Sequence, residues 1–191
     1  IYHQSISNKD FEIILVDDNS KDQTQKVIKK YKKFKNIIFI KNRKNLGLPK
    51  SLNKAIKKSN NQFIVRVDGD DYVKKNFLKL SKQFLLKNRK YQAVAVDYDK
   101  VDENNFLIKS ENCKKKEIAC GIMFLKESLE KIGLYNENFK MREGHELKRR
   151  FLINFKIGRL PKPLYNYRQH KKNRTKNKRV LKLYDRMLRS N

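Results

Sequence analysis

The stretch of sequence that decides the fold is Phe63-Ile-Val-Arg-Val-Asp-Gly-Asp-Asp-Tyr72. Its apolar, β-branched run from Phe63 to Val67 predicts a short buried strand. The strand ends in three carboxylates hinged by a glycine: Asp68, Gly69, Asp70 and Asp71. Because open α/β sheets bind ligands at the carboxyl ends of their strands, we expect this acidic cluster at the mouth of a site.

The acidic cluster has two interpretations. Three carboxylates this close together repel one another unless a cation lies between them, and hard divalent cations prefer oxygen ligands. In a chain with 48 Lys and Arg against 20 Asp and Glu, acid concentrated at one strand end favours a cation site. Asp-Gly is also ordinary turn chemistry, so a solvated turn is the alternative. The remainder of the sequence decides between the two.

The composition fits one domain with a strongly basic surface. A chain of 191 residues is long enough for one core with a small appendage. The formal net charge of +28 predicts a polyanionic partner, such as nucleic acid, a phosphate-rich substrate or an anionic membrane face. Lys, Asn and Ile are abundant together, so coding bias also contributes to this charge. No apolar run approaches the roughly 18–20 residues that span a bilayer, and no signal peptide is evident.

The two cysteines indicate the redox state of the protein, and the first residue indicates whether the sequence is a fragment. Cys113 and Cys120 are seven residues apart and match no metal-binding or redox spacing. Reduced thiols are therefore expected, which is typical of a cytoplasmic protein. The chain begins with Ile1 rather than Met, which indicates a fragment or a processed product.

Strands and helices alternate regularly in the first half of the chain. Strands are predicted at 11–16, 36–41, 63–67 and 91–101, and helices between them. Ser20 and Gln23 have the spacing of a capping box at the first helix, and Pro49 suits the first position of the second. The second half predicts a strand at 118–125, a short helix at 127–132, a helix at 142–154 and an extended segment at 159–168. The alternation predicts an α/β fold with a Rossmann-like, mostly parallel sheet flanked by helices.

The last segment, at 177–191, is predicted to be a basic amphipathic helix that follows a domain at 1–176. One stripe of this helix is apolar: Val180, Tyr184, Met187 and Leu188. Most of the remaining positions are Lys or Arg. Such a helix either lies in the interface of an anionic membrane leaflet or packs against its own domain.

Two strands end in acid about fifty residues apart, at Asp17-Asp18 and at Asp68. This pattern resembles a phosphorylation receiver domain, in which paired acids and a phosphoacceptor Asp hold magnesium. A receiver has one acid at its phosphoacceptor turn, followed by an apolar residue and Pro, and it is shorter than this chain. Here the second turn is Asp-Gly-Asp-Asp, so the receiver interpretation is rejected.

A second resemblance covers nearly the whole chain, in a fixed order of motifs. The motifs are Glu12-Ile-Ile-Leu-Val-Asp-Asp-Asn-Ser-Lys-Asp22, Asn45-Leu-Gly-Leu-Pro49, Leu52-Asn53, Arg66-Val-Asp-Gly-Asp-Asp71, Gly121-Ile-Met-Phe124, Lys131-Ile-Gly-Leu-Tyr-Asn-Glu-Asn-Phe139, Arg142-Glu-Gly-His-Glu-Leu147 and Pro163-Leu-Tyr-Asn-Tyr-Arg-Gln-His170. Each motif alone is weak, but the ordered set resembles glycosyltransferase family 2. The resemblance implies a GT-A fold. It also implies transfer of a sugar, usually with inversion, from a nucleotide diphosphate donor to a saccharide or lipid-linked acceptor. The expected setting is surface polysaccharide or glycolipid assembly, in the cytoplasm or peripherally at the inner face of the membrane.

The resemblance assigns the donor and metal residues one by one. It places the donor nucleotide at Asp17, Asp18, Asn45, Asn53, Asp68 and Arg168. Carboxylates suit this task because they accept hydrogen bonds from a base N–H and from ribose hydroxyls. Turn and capping roles explain Asn45 and Asn53 equally well.

The metal site that the resemblance implies consists of Asp68, Asp70 and His170, with Asp70 in direct contact with Mn²⁺ or Mg²⁺. The metal would bridge the diphosphate and neutralise the leaving group. Arg168 and His170 alternate on an extended segment, so their side chains point the same way and are expected to close over the diphosphate.

Inversion needs a carboxylate base opposite the leaving group. The acidic pair of the family falls at Glu143 and Gly144, and many members have Asp where this chain has Gly144. The base is therefore either Glu143 or Glu146, which share one face of the predicted helix. The alternative is that one of them only forms an ion pair with Arg149 or Arg150.

Two alternatives to an active transferase remain. Family members begin with a further strand and helix before the equivalent of Phe11, so the resemblance predicts a sheet without its first strand and allows an inactive, truncated transferase. The other alternative is a non-enzymatic, basic nucleic-acid-binding α/β module. No RNA- or DNA-binding signature is evident and the aromatic residues lie at core spacing, so we expect no nucleic-acid partner.

Overall fold

The fold consists of eight strands and six helices in the described part of the chain. The computed structural model describes residues 3–171, 173 and 177–190. The elements are β1 (Ile13–Asp17), α1 (Thr24–Lys29), β2 (Ile37–Lys41), α2 (Leu48–Lys58), β3 (Phe63–Val65), β4 (Tyr72–Val73), α3 (Phe77–Lys87), β5 (Ala93–Val101), β6 (Leu107–Glu111), β7 (Ile122–Leu125), α4 (Lys126–Lys131), α5 (Glu143–Asn154), β8 (Ile157–Arg168) and α6 (Lys178–Ser190). The predicted α/β class is confirmed.

The main sheet has six strands and is mixed. Its order is β3-β7-β5-β8-β4, and β6 pairs with the far end of β5. β3, β5 and β8 run in the same direction, but β7 lies antiparallel between β3 and β5. β4 and β6 are also antiparallel to their neighbours. The expectation of a mostly parallel sheet is therefore corrected. The strand predicted at 118–125 contains β7, which enters the sheet antiparallel, and the short antiparallel strands β4 and β6 are not revealed by the strand–helix alternation.

β1 and β2 form a separate parallel pair. Within the described residues, β1 pairs only with β2 and β3 only with β7, so each has one edge without a strand partner. Residues of both strands line one cavity of about 1550 Å³, with apolar side chains such as Ile14, Val16 and Ile64 in its wall. No strand of the described residues lies between β1 and β3.

The core fixes α5 against the main sheet. Phe151 of α5 is fully buried and meets Phe124 of β7 edge to face, with ring centroids 5.1 Å apart. Leu147, one turn earlier on the same face, is also buried in this cluster. Burial of each such side chain stabilises the fold by about 1.5–3 kcal/mol. This packing holds the first turn of α5 at the wall of the cavity.

The first helix begins later than predicted. The backbone N–H of Ser20 donates to Asp17 (2.9 Å), and Asp22 accepts from the backbone N–H of Thr24 (2.9 Å). Gln23 occupies the N-cap position without a side-chain capping bond. The predicted capping box of Ser20 and Gln23 is therefore wrong, because the preceding acidic residues take over the donors of this turn.

α6 packs back against the segment that leads into α5. Arg142 forms an ion pair with Asp185 of α6 (Nε to Oδ1, 2.7 Å), and the rings of Phe139 and Tyr184 lie 6.0 Å apart. The predicted domain boundary, between residues 176 and 177, adjoins positions outside the described residues and stays a prediction. In the part of the chain that the structure describes, no helix combines the length and the apolar character needed to cross a membrane.

Candidate active site

The first acidic strand end begins with Asp17, a buried residue at the end of β1. Its carboxylate accepts hydrogen bonds from the backbone N–H of Ser20 and from the side-chain amide of Gln25. Burial opposes its charge, but these hydrogen bonds outweigh burial and lower the pKa of Asp17. Asp17 thus holds the loop between β1 and α1 in place.

Asp18, the next residue, organises the turn at 45–49. Its two carboxylate oxygens accept from the backbone N–H groups of Leu46 and Gly47, each at 2.8 Å, and from the amide of Asn42, also at 2.8 Å. Burial opposes the charge of Asp18, yet these hydrogen bonds lower its pKa overall. Asp18 nevertheless lines the cavity, as does Asn45 at the start of the turn.

Asn53 is a buried cross-link on α2 and is not among the residues that line the cavity. Its amide donates to the backbone oxygen of Tyr135 (2.9 Å) and accepts from the backbone N–H of the same residue (2.9 Å). This pair of bonds ties α2 to the segment before α5. This role differs from the turn or capping role given as the alternative, and the donor-binding role of Asn53 stays a prediction.

The second acidic strand end brings two predicted metal residues together. Asp70 and His170 are 100 residues apart in sequence, and the Nε2 atom of His170 lies 2.7 Å from the carboxylate of Asp70. The side chain of Asp70 is 43% exposed. Asp68 accepts two hydrogen bonds from Arg66, at 2.6 and 3.1 Å. The Asp70–His170 pair is thus the open side of the cluster.

Asp71, which the predicted metal set does not include, anchors the turn to β8. The hydroxyl of Tyr165 donates to Asp71 (2.6 Å) and accepts from the backbone N–H of Asp68 (3.3 Å). The backbone N–H of Arg168 donates to the other oxygen of Asp71 (2.8 Å). Burial raises the pKa of Asp71 to about 6 despite these two hydrogen bonds, and the charges of Asp70 and Asp68 add to the increase.

The acidic turn has a donor set that could hold a hard divalent cation. Among the described residues, Asp68, Asp71 and Cys120 place one ligand atom each within 4.8 Å of one another. Burial raises the pKa of the Cys120 thiol, so the sulfur stays protonated and is a poor ligand. Carboxylate oxygens are the ligands that suit Mn²⁺ or Mg²⁺. Asp70 and His170, which contact each other, are not members of this group of three.

The two predicted bases both lie in ion pairs. Glu143, 6% exposed, accepts from Arg66 at 2.8 Å. Glu146, 9% exposed, accepts two hydrogen bonds from Arg150, at 2.6 and 2.8 Å. Glu146 forms the ion pair with Arg150 that the alternative names, and the role of either glutamate as the base stays a prediction. Glu143 lines the cavity, and Glu146 is not among the lining residues.

The end of β8 crosses the acidic turn, but the side chain of Arg168 turns aside. Its guanidinium lies over the ring of Tyr72, 5.6 Å from the centroid, and donates to Asn105 (2.8 Å). His170 instead reaches Asp70. The predicted closure of Arg168 and His170 over a diphosphate stays a prediction.

Comparison with known proteins identifies the family. Residues 1–152 match the model described as Glycosyl transferase family 2. The chain belongs to this family.

Several relatives of this family member have names or solved structures. It is 36% identical over 134 residues to the uncharacterized glycosyltransferase MJ1057 of Methanocaldococcus jannaschii, covering 66% of this chain and 46% of that protein. It is also 36% identical over 83 residues to the poly(ribitol-phosphate) β-N-acetylglucosaminyltransferase TarS of Staphylococcus aureus, covering 43% of this chain and 14% of TarS. The chain thus spans less than half the length of these curated relatives.

The fold of TarS matches as well. The crystal structure of TarS residues 1–349 in complex with UDP-GlcNAc superposes with a TM-score of 0.76, at 21% identity, over 92% of this chain and 54% of that one. The expected GT-A fold is therefore confirmed.

Besides Asp71, three residues of the candidate site were not assigned from the sequence. Arg66 bridges Asp68 and Glu143. Burial opposes its charge, but the neighbouring Asp68 above all raises its pKa, so Arg66 stays cationic. Tyr165 holds the acidic turn, and His145 lines the cavity. Only Arg66 left a signal, because an arginine inside an apolar strand requires an anionic partner.

Proposed function

We propose that this chain is a metal-assisted, inverting glycosyltransferase that acts on a cell-surface polysaccharide or a lipid-linked saccharide. The observation that carries the proposal is the acidic turn at Asp68–Asp71, with His170 beside Asp70, at the edge of the large cavity of a family 2 chain. Relatives support the acceptor class. TarS and a protein of Bacillus spizizenii are named as poly(ribitol-phosphate) glycosyltransferases. TarS structures with UDP and with UDP-GlcNAc support a UDP-sugar donor.

Asp68, Asp70 and His170 are proposed to hold Mn²⁺ or Mg²⁺. When bound there, the metal supplies charge neutralisation to the diphosphate leaving group. Asp71 keeps its bonds to Tyr165 and Arg168 and so fixes the turn on which the ligands lie. This division of roles explains why three carboxylates are crowded at one strand end of a basic protein.

The donor nucleotide is proposed to bind at the cavity-facing residues Asp18 and Asn45 and at Asp68. Both carboxylate oxygens of Asp18 already accept hydrogen bonds from the turn at 45–49. A ribose hydroxyl or a base N–H would therefore donate to a carboxylate whose position is fixed before the donor binds. Asp17 and Asn53 would act indirectly, by fixing the loop after β1 and the position of α2. Arg168 would reach the diphosphate only after leaving Tyr72.

The acceptor is proposed to enter along the first turn of α5, which borders the same cavity. A general base there removes the proton of the attacking hydroxyl, and Glu143 and Glu146 are the bases predicted from sequence. Their ion pairs with Arg66 and Arg150 limit both, because each carboxylate would have to release its arginine before it could contact the acceptor hydroxyl.

A donor screen tests the proposed function. The protein is incubated with UDP-GlcNAc, UDP-glucose, UDP-galactose and GDP-mannose, with Mn²⁺ or with excess EDTA, and release of the nucleoside diphosphate is measured. We expect hydrolysis of at least one nucleotide sugar that requires the metal. Hydrolysis at the protein-free rate for every donor, together with metal-independent binding of RNA, would support the nucleic-acid-binding alternative instead.

α6 is proposed to add peripheral contact with an anionic membrane. Its Asp185 and Tyr184 face the body of the protein, and its exposed positions are mostly basic: Lys178, Arg179, Lys182, Arg186 and Arg189. Each Lys or Arg near an anionic leaflet contributes about 1 kcal/mol. The exposed Leu183 adds an apolar contact.

Vesicle sedimentation tests the membrane proposal. We expect Lys182→Glu with Arg189→Glu to abolish salt-sensitive binding to phosphatidylserine vesicles, while the control pair Lys57→Glu and Lys58→Glu on α2 retains it. Equal loss in both double variants would assign the attraction to the general charge of the protein.

A further inference from the structure

The first turn of α5 carries a third group that could accept a proton. Glu143 and Glu146 are nearly buried and already paired with arginines. For Glu143 to act as the base it would have to release Arg66, a buried cation that also holds Asp68. For Glu146 it would have to release Arg150, which also donates to the backbone oxygen of Leu134. Both carboxylates thus hold arginines that stabilise the structure of the site.

Gly144, between the two, has no room for a side chain. A Cβ atom built on Gly144 would lie 2.3 Å from the Cβ of Ala119 and 3.1 Å from its Cα. Because real Cβ atoms do not approach this closely, any larger residue at 144 requires a backbone shift. This chain therefore has no carboxylate at 144 and no space for one.

His145 differs from both glutamates. It is half-buried and lines the cavity together with Glu143 and Asp70, and it forms no salt bridge with any residue that the structure describes. Its Nε2 atom lies 3.4 Å from Nη1 of Arg142. Since a guanidinium only donates, Nε2 is the acceptor and the neutral ring carries its proton on Nδ1. Asp185 holds the same guanidinium with two bonds, at 2.7 and 3.3 Å, so the contact with Nε2 is the long one.

Burial, together with nearby cations, favours the neutral form of the His145 ring. Burial, Arg142 and Lys148 lower the pKa of His145 below its ordinary value of 6.5, while Glu117 and Glu143 oppose them. The two carboxylates also lie where they would stabilise an imidazolium formed during turnover. A neutral imidazole with a basic nitrogen at a cavity wall is suited to general-base work.

We propose that Nε2 of His145 is the general base of the transfer reaction, an inference that rests on the proposed function. The proton of the acceptor hydroxyl passes to Nε2, and the hydroxyl oxygen forms a bond to the anomeric carbon of the sugar. The bond from that carbon to the diphosphate oxygen breaks, and its electron pair leaves on the diphosphate. Proton transfer back to water restores the neutral ring.

The test uses the full chain and hydrolysis of UDP-GlcNAc, with water as the acceptor. We expect His145→Ala and His145→Gln to lower kcat by about 10²–10⁴-fold, with Mn²⁺-dependent UDP-GlcNAc binding unchanged. Added imidazole should restore part of the rate of His145→Ala but not of Asp70→Asn. His3→Ala is the matched control and should keep the unchanged rate. Because His145→Gln is similar in size to the original residue, it separates loss of the base from loss of packing.

The pH profile gives a readout that a purely structural histidine would not change. The kcat of the unchanged chain should fall as the pH falls through the pKa of His145, below 6.5. In His145→Ala the rescued rate should instead follow the titration of the added imidazole. Full activity of both His145 variants, with the loss confined to Glu143→Gln, would overturn the assignment. Absence of metal-dependent binding of every nucleotide sugar in the donor screen would refute the proposed function itself, and the assignment with it.

Discussion

The two acidic strand ends have similar sequences and different surroundings. After β1, Asp17 and Asp18 accept hydrogen bonds from backbone and side-chain donors, and both pKa values are lowered. After β3, Asp70 is exposed beside His170, and burial raises the pKa of Asp71 to about 6. In the first cluster, hydrogen bonds from the neighbouring loops stabilise the charged carboxylates. The second keeps an excess of negative charge that a cation can neutralise.

The supply of N–H donors explains the difference. Gly47 has a positive φ of 87°, which lets the turn at 45–49 aim two consecutive backbone N–H groups at Asp18. L side chains rarely adopt this conformation. At the second strand end, the described donors reach Asp68 and Asp71, and Asp70 contacts only an imidazole. We infer that carboxylates after a strand have a structural role where the neighbouring loops supply enough N–H donors. Where the loops leave a carboxylate without such donors, it is available to bind a metal.

The largest expected effect is that of Asp70→Asn. Loss of an outer-shell partner costs about 10–100-fold in metal affinity or activity, so we expect loss of a direct ligand to lower Mn²⁺-dependent UDP-GlcNAc hydrolysis by more than about 100-fold. The fold should remain intact, because the substitution also relieves repulsion within the cluster. Glu103→Gln, at the exposed turn before β6, is the control. Near-normal hydrolysis by Asp70→Asn would show that the acidic turn is only a solvated turn.

The second-largest effect is expected for Asp18→Asn, at the end of β1, and it concerns the free energy of unfolding. Asp18→Asn removes one charged acceptor from the turn at 45–49, and hydrogen bonds to charged groups contribute about 1.5–3 kcal/mol. We expect the free energy of unfolding to fall by about 2 kcal/mol in urea denaturation, whereas Asp70→Asn should change it by less than about 0.5 kcal/mol. Equal free energies of unfolding for the two variants would mean that the hydrogen bonds to Asp18 stabilise the fold no more than the contact of Asp70 does.

The smallest effect is expected for Tyr165→Phe. This substitution keeps the ring packed against Phe77, at a centroid distance of 6.4 Å, and removes only the hydroxyl between Asp68 and Asp71. We expect a loss of about 1 kcal/mol in the free energy of unfolding and a several-fold weaker affinity for Mn²⁺. Tyr91→Phe, which keeps its stacking on Phe84, is the control. An unchanged Mn²⁺ affinity would show that metal binding does not depend on the hydrogen bond from Tyr165 to Asp71.

Local patterns in the sequence predicted the fold better than the site. Apolar periodicity located β1, β2, β5 and α5 within a few residues, because each pattern is contained in its own segment. It missed the two-residue β4, and it did not give the direction of β7, because periodicity carries no information on strand direction. In the site, Asp70 and His170 were predicted together from the resemblance and lie together. The bonds from Arg66 to Glu143 and from Tyr165 to Asp71 join residues 77 and 94 positions apart, and no local pattern encodes such pairs.

The most direct test of the central claim, that the second acidic strand end binds a metal for a nucleotide-sugar donor, is calorimetric titration of the unchanged chain with UDP-GlcNAc. The titration is made with Mn²⁺ and with EDTA, and repeated with Asp70→Asn. We predict binding that requires Mn²⁺ and disappears in Asp70→Asn, although that variant remains folded. Binding of equal strength in EDTA, or in Asp70→Asn, would contradict the claim.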